Sequence, residues 1–231
     1  MEFFVLSLIL IVINFILLLF RRDLIRESLM GSLTLLPFAF FEMFFIPYYW
    51  NPHSVGQFAF GPLNFDLEAF FCCIAVGGIA SISYEIFRNK KIKDFKGIYL
   101  NQRDIFIRNF AIIIVVIISI IFGVFLRPYF IYSFLIVGPV GFFIITQKRK
   151  DLFLNGIVGG LIFTLIYIIS LWITAHVLYP GWIDFAWNKQ NLILNSSFLG
   201  IPLEEYLWAF TTGILWAPAY EYLTNRKEVN A

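Results

Sequence analysis

Seven stretches of mostly apolar residues, approximately 3–20, 29–47, 66–87, 107–126, 129–146, 154–178 and 199–223, follow one another along the chain with short basic segments between several of them. A helix of about 20 apolar residues crosses the roughly 30 Å hydrocarbon core of a bilayer, and a spanning segment must satisfy its own backbone hydrogen bonds there. The pattern predicts an all-α membrane protein with seven transmembrane helices. Composition agrees: with 60% apolar, 20% aromatic and only 14% charged residues, a water-soluble domain of this length would lack polar side chains for its surface. The first stretch has no basic residue ahead of it and is followed at once by Arg21 and Arg22, the reverse of a secretory signal, so it reads as an anchor.

Lys and Arg stay on the cytoplasmic side of short loops. Segment 21–28 holds three, 88–108 seven, 147–153 three and the tail beyond 223 two, against only Arg127 and Lys189 in the alternate loops. This bias predicts an N-terminus outside and a C-terminus in the cytoplasm.

The chain also repeats itself. Asp66-Leu67-Glu68-Ala69-Phe70-Phe71 overlays Pro202-Leu203-Glu204-Glu205-Tyr206-Leu207, and at the same offset of 136 residues Gly77 meets Gly213, Tyr84 meets Tyr220 and Glu85 meets Glu221. Upstream, Arg22-Asp23-Leu24 overlays Lys150-Asp151-Leu152 and Gly31 overlays Gly159 at an offset of 128. Three helices reverse the chain's side and one more restores it, so the expected architecture is two parallel three-helix repeats, 1–100 and 128–231, joined by a linker transmembrane helix within 101–127. Paired units of this kind place a site at their interface.

Several function classes are excluded early. A net charge of +2, with no basic face, gives no footprint for nucleic acid. His53 and His176 stand alone and the only cysteines, Cys72 and Cys73, are adjacent, so no metal-ligand spacing is present and no metal is expected. No lysine lies in the last span for a retinal Schiff base, and no Gly-rich fingerprint signals a dinucleotide.

Carboxylates inside spans carry the chemistry. A charge at the bilayer centre costs roughly 2.5–3.5 kcal/mol on insertion scales, yet Glu42, Asp66, Glu68, Glu204 and Glu205 fall in the outer portions of the second, third and last spans. Packed about a pseudo-twofold axis, Glu68 and Glu204 would face one another across a cavity in which the acids cannot all be ionised. Trp208 follows Glu204 by one helical turn, and Trp216 follows the Glu205 face. Ring faces stabilise a cation without trapping it, so an acid with aromatic walls suits protonation of an alkene. Glu85 and Glu221, near Arg88 and Arg226, read as interfacial ion pairs or caps.

The run Gly200-Ile201-Pro202-Leu203-Glu204-Glu205-Tyr206-Leu207-Trp208 resembles the lycopene cyclase domain family, whose units carry Pro-x-Glu-Glu ahead of an aromatic-rich helix. That family includes heterodimers of three-helix subunits and single-chain fusions of the two, and the 3+1+3 layout above matches the fused form. The resemblance implies a cofactor-free cyclisation of the ends of lycopene to β-ionone rings. An acid protonates C2, the cation at C1 is attacked by the C5=C6 bond, and loss of a proton closes the ring. It implies Glu204, Glu205 and Glu68 as catalytic carboxyls, with Pro202, Trp208, Phe71 and Glu42 around the substrate. The implied partners are a carotenoid, membrane lipid and other carotenoid-pathway enzymes. The first half departs from the motif, since Asp66-Leu67-Glu68-Ala69 lacks the proline and the second glutamate. Two other outcomes fit the same residues: a carotenoid 1,2-hydratase, which captures the cation with water, and a non-catalytic lipid-binding or transport protein of the cell membrane.

Overall fold

The structure is a computed structural model and describes residues 1–60, 63–88, 90–94, 117, 119–224 and 226–230. It is mostly helical. Helix α1 is Glu2–Phe20. A 3-10 turn, Arg22–Leu24, leads into α2 (Ile25–Leu35), which tightens to a 3-10 segment over Leu36–Phe41 and ends in α3 (Glu42–Phe45). Pro37 sits at the start of that tightened segment, where its missing N–H and fixed φ disfavour an uninterrupted α-helix. Strands β1 (Gln57–Phe60) and β2 (Leu63–Asp66) form an antiparallel pair before α4 (Leu67–Arg88).

Strand β3 (Lys90–Asp94) follows, then residues 95–116 and 118, where most of the expected linker span lies, outside the described residues. Residues 119–125 are helical. Helix α5 is Phe130–Lys148, and α6 is Phe153–Trp172 with a π-helical end over Ile173–Leu178. A short helix α7 (Trp182–Ala186) and a two-residue strand pair, β4 (Ser197–Phe198) with β5 (Ile201–Pro202), precede α8 (Leu203–Trp216). Helix α9 (Ala219–Thr224) continues it, and β6 (Arg226–Asn230) pairs antiparallel with β3.

Among the described residues, five helical segments are long and apolar enough to cross a membrane: Glu2–Phe20, Arg22–Phe45, Leu67–Arg88, Arg127–Lys148 and Lys150–Leu178. Their outward faces carry large apolar side chains such as Phe15, Phe20, Leu33, Phe143 and Leu165. In water such surfaces would be strongly unfavourable, and in lipid they need no cover. The molecule is thus an all-α membrane protein in architecture. The last expected span, 199–223, is divided: Ala217 and Pro218 form a turn between α8 and α9. Proline cannot supply the N–H of an uninterrupted helix.

Helix α4 packs against α1 and α2, while α8 packs against α5 and α6, and α4 meets α6 across the middle. Glycines let the backbones close. A Cβ built on Gly77 of α4 would lie 2.8 Å from the carbonyl carbon of Gly31 on α2, and one built on Gly213 of α8 would lie 2.6 Å from Cα of Gly160 on α6. Close approach through small residues is the main way helices associate in lipid, where the hydrophobic effect is absent.

The two helix sets are tied in the same manner at one end. Arg21 bonds Asp23 through both carboxylate oxygens at 2.9 Å and donates Nη1 to the Glu85 carbonyl at 2.9 Å. Arg149 bonds Asp151 at 2.9 and 2.8 Å and donates Nη1 to the Glu221 carbonyl at 3.4 Å.

Candidate active site

Helix α8 begins at Pro202, whose extended backbone (φ −55°, ψ 141°) turns the chain into the helix, with Glu204 and Glu205 in the first turn. Acidic side chains there face the positive end of the helix dipole. At 3.6 residues per turn, neighbouring residues point in different directions, roughly 100° apart. The two glutamates accordingly have different surroundings.

Glu205 is buried, and both its oxygens are held. Oε1 accepts hydrogen bonds from Tyr49 Oη at 2.6 Å and Trp187 Nε1 at 2.9 Å, and Oε2 accepts one from Tyr167 Oη at 2.7 Å. The three donors come from the loop after α3, the loop after α7 and the middle of α6. Glu204 instead holds the segment leading into its own helix and the start of α5: Oε1 accepts from Leu194 N at 3.1 Å and from Tyr132 Oη at 2.6 Å. Glu68 at the start of α4 does likewise for its own preceding loop, accepting from Ser54 Oγ at 2.9 Å and from the Val55 backbone N–H.

Glu205 opens onto a cavity of about 120 Å³ between the two helix sets. Along α8 the wall is formed by Glu205, Trp208, Thr212 and Trp216, one face of the helix. Opposite, α4 contributes Ala69, Cys72 and Val76, the residues that the 136-residue offset aligns with Glu205, Trp208 and Thr212. Phe38, Phe45, Phe134 and Tyr167 supply further ring surface. Tyr167 and Trp208 lie 5.1 Å apart between centroids, and Phe38 stands edge-on to Trp216 at 5.6 Å. Glu42 also lines the cavity, with Oε2 accepting from Asp66 N at 3.0 Å.

Two loops meet over the Glu205 end. Trp50 and Trp187 form an isolated antiparallel bridge, Asn51 N donates to Ala186 O at 2.7 Å and Asn188 N to Tyr49 O at 2.9 Å. Phe3, Trp50, Trp187 and Trp182 then pack in succession, edge-on or tilted, with centroids 4.5 to 5.3 Å apart. Trp187 joins this ring roof to Glu205 through its indole N–H.

Of the residues expected from the sequence, the structure brings Glu205, Glu42 and Trp208 to the cavity. Glu204 and Glu68 are buried beside it and face their loops. Pro202 sets the start of α8 without lining the cavity, and Phe71 packs edge-on against Phe4 at 6.4 Å. Sequence reasoning missed Tyr49, Tyr167 and Trp187. Tyr167 had a usable signal, a phenol in the middle of an apolar span, where its hydroxyl needs a partner. Tyr49 and Trp187 have no spacing relation to Glu205 and no comparable signal.

At the other end of the bundle Glu85 and Glu221 are fully buried, and with Glu27 they form a cluster in which one oxygen from each lies within 4.8 Å of the others. Asn155 Nδ2 donates to Glu85 at 3.0 Å. The helix crossings at Gly31 and Gly77 and at Gly159 and Ala217 draw these ends together.

No curated protein and no solved structure matches the chain. A family model described as lycopene cyclase matches residues 128–223, a stretch that includes Pro202, Glu204, Glu205, Trp208, Tyr167 and Trp187. Over residues 128–223 this chain is similar to the lycopene cyclase family.

Proposed function

We propose that the chain is a multi-pass cell-membrane carotenoid cyclase that closes linear ends of lycopene to β-ionone rings, without cofactor and without net redox change. Support comes above all from the position of Glu205: the second acid of the Pro-x-Glu-Glu run is the one held in an aromatic cavity between the two helix sets. A proton added to C2 leaves a tertiary cation at C1. Attack by the C5=C6 bond joins C6 to C1 and moves the charge to C5, and loss of the C6 proton restores the double bond. The product has the atoms of the substrate, so acid and base suffice.

The cavity walls fit these steps. Trp208 and Tyr167 offer ring faces to the cation, an interaction of about 2 kcal/mol or more when desolvated. The tryptophan roof limits water, which would otherwise trap the cation as an alcohol. At about 120 Å³ the space is below the roughly 300–1,000 Å³ of a drug-sized ligand site. It accommodates an end group, and the rest of the polyene extends into lipid.

In the proposed arrangement residues 1–100 and 128–231 are parallel three-helix units joined through 101–127, with the N-terminus outside and the C-terminus cytoplasmic. The matched Arg21–Asp23 and Arg149–Asp151 clamps and the matched cavity residues of α4 and α8 support it. Glu204 acts as a positioning residue that fixes the loop ahead of α8, and Glu68 does the same in the first unit.

The test is expression in cells that accumulate lycopene, followed by pigment analysis. Monocyclic or bicyclic carotenes are expected. Hydroxylated acyclic carotenoids would indicate a hydratase, and unchanged lycopene with intact membrane protein would indicate a binding or transport role. In the same cells Glu204→Gln, which keeps a carbonyl oxygen for Leu194 and Tyr132, is expected to lower ring formation less than about ten-fold, roughly 1.4 kcal/mol. Tyr167→Phe removes one charge-assisted hydrogen bond, worth about 1.5–3 kcal/mol, and is expected to lower it by about 10- to 100-fold.

A further inference from the structure

Two carboxyls line the cavity, and their hydrogen-bond environments are opposite. Glu205 has three donors on two oxygens, from Tyr49, Tyr167 and Trp187. An ionised carboxylate is acceptor-only with about four acceptor sites, of which these donors take three and leave one on Oε2. Three donors favour the ionised form of Glu205 before reaction, and the remaining acceptor site can take up a proton.

Glu42 has one donor among the described residues. Its Oε2 accepts from Asp66 N at 3.0 Å, while Oε1 is buried and has no hydrogen-bond partner among the described residues. The residue is 5% exposed and stands in the same cavity wall as Phe45, Cys72 and Cys73. A bare carboxylate oxygen buried in an apolar wall and beside the buried Asp66 is costly. A carboxylic acid group carries its own hydrogen there and needs no further donor.

We infer that Glu42 is the acid that hands its proton to C2 of the substrate, and that Glu205 is the carboxylate that faces the cation and removes the proton from C6. This division of labour rests on the cyclase reading above. The Glu42 O–H bond breaks as the C2–H bond forms, and the C6–H bond breaks as its hydrogen passes to Glu205. One proton enters and one leaves, and the pair is reset when Glu205 releases its proton to water and Glu42 takes one up. The two halves of the chain thereby each supply one partner: Glu42 from the end of the second span and Glu205 from the last.

The arrangement is tested on the purified full chain by infrared spectroscopy, which separates the carbonyl stretch of a protonated carboxylic acid from the stretches of a carboxylate. Glu42→Gln is expected to remove an acid carbonyl band present in the unsubstituted protein, and Glu205→Gln to leave that band and remove carboxylate absorption. Glu42→Asp, which keeps an acid should Glu42→Gln fold poorly, is expected to retain a shifted acid band. In lycopene-accumulating cells Glu42→Gln is expected to lower ring formation at least about 100-fold, within the range for loss of a general acid, with Glu42→Asp at least ten-fold more active than Glu42→Gln. An acid band that survives Glu42→Gln and disappears in Glu205→Gln would overturn the assignment. Absence of rings with the unsubstituted chain would defeat the cyclase reading, whereas the infrared comparison locates the proton whether or not rings form.

Discussion

Glu205→Gln is expected to lower ring formation from lycopene by about 10²- to 10⁴-fold, the range for loss of a positioned acid or base, while the protein stays folded in the membrane. Glutamine keeps the size of the side chain and one carbonyl oxygen for Tyr49 and Trp187. Its amide can donate to the Tyr167 hydroxyl in place of accepting from it. Packing is therefore preserved and only the charge and the ability to bind a proton are lost. The measurements are carotene product per folded protein, and thermal stability in detergent. A stable variant with little product separates chemistry from folding.

The second large effect is structural. Gly213→Val is expected to cost stability and activity together, because the added Cβ would lie 2.6 Å from Gly160 Cα, 3.2 Å from Gly160 O and 3.3 Å from Phe163 Cβ. Two of these contacts are backbone and cannot rotate away. Overpacking costs roughly 1–3 kcal/mol and more where nothing can yield. Here α8 must move off α6, which carries Tyr167, so the Glu205–Tyr167 bond parts as the crossing opens. A lowered thermal midpoint together with loss of product is the expected result. Full stability would mean that the α6–α8 crossing is looser than its glycines indicate.

Helices of this molecule are readable from the sequence because lipid imposes a simple rule, a long apolar run with its own hydrogen bonds. The span expected at 66–87 is the helix Leu67–Arg88, and that at 154–178 lies within Lys150–Leu178. Local chemistry explains where the pattern gives less. Pro37 and Pro218 alter helices whose hydropathy is continuous, because backbone hydrogen bonding, not apolarity, decides at those points. Glu204 and Glu205 are adjacent in sequence, and nothing in their identities tells which enters the cavity. The helix start at Pro202 and the loop carrying Leu194 decide that, by giving Glu204 a backbone N–H to hold. Tyr49 and Trp187 reach Glu205 through the paired loops over the cavity, a contact between segments more than 130 residues apart in the chain.

The inward position of Glu85 and Glu221 has the same origin. Their burial is set by the interhelical crossings at Gly31 and Gly77 and at Gly159 and Ala217. Arg21 and Arg149 bond Asp23, Asp151 and the carbonyls of Glu85 and Glu221. Their role is to tie helix ends together. The same clamp at equivalent places in both helix sets fits the proposed duplication.

The most direct measurement of acid-initiated cyclisation is to incubate membranes containing the chain with lycopene in deuterium oxide and to locate the label in the carotene formed. One deuterium at C2 of each new ring, with no other change in composition beyond hydrogen exchange, is the result the account predicts. Rings that carry no deuterium at C2, or lycopene recovered unchanged, would contradict it.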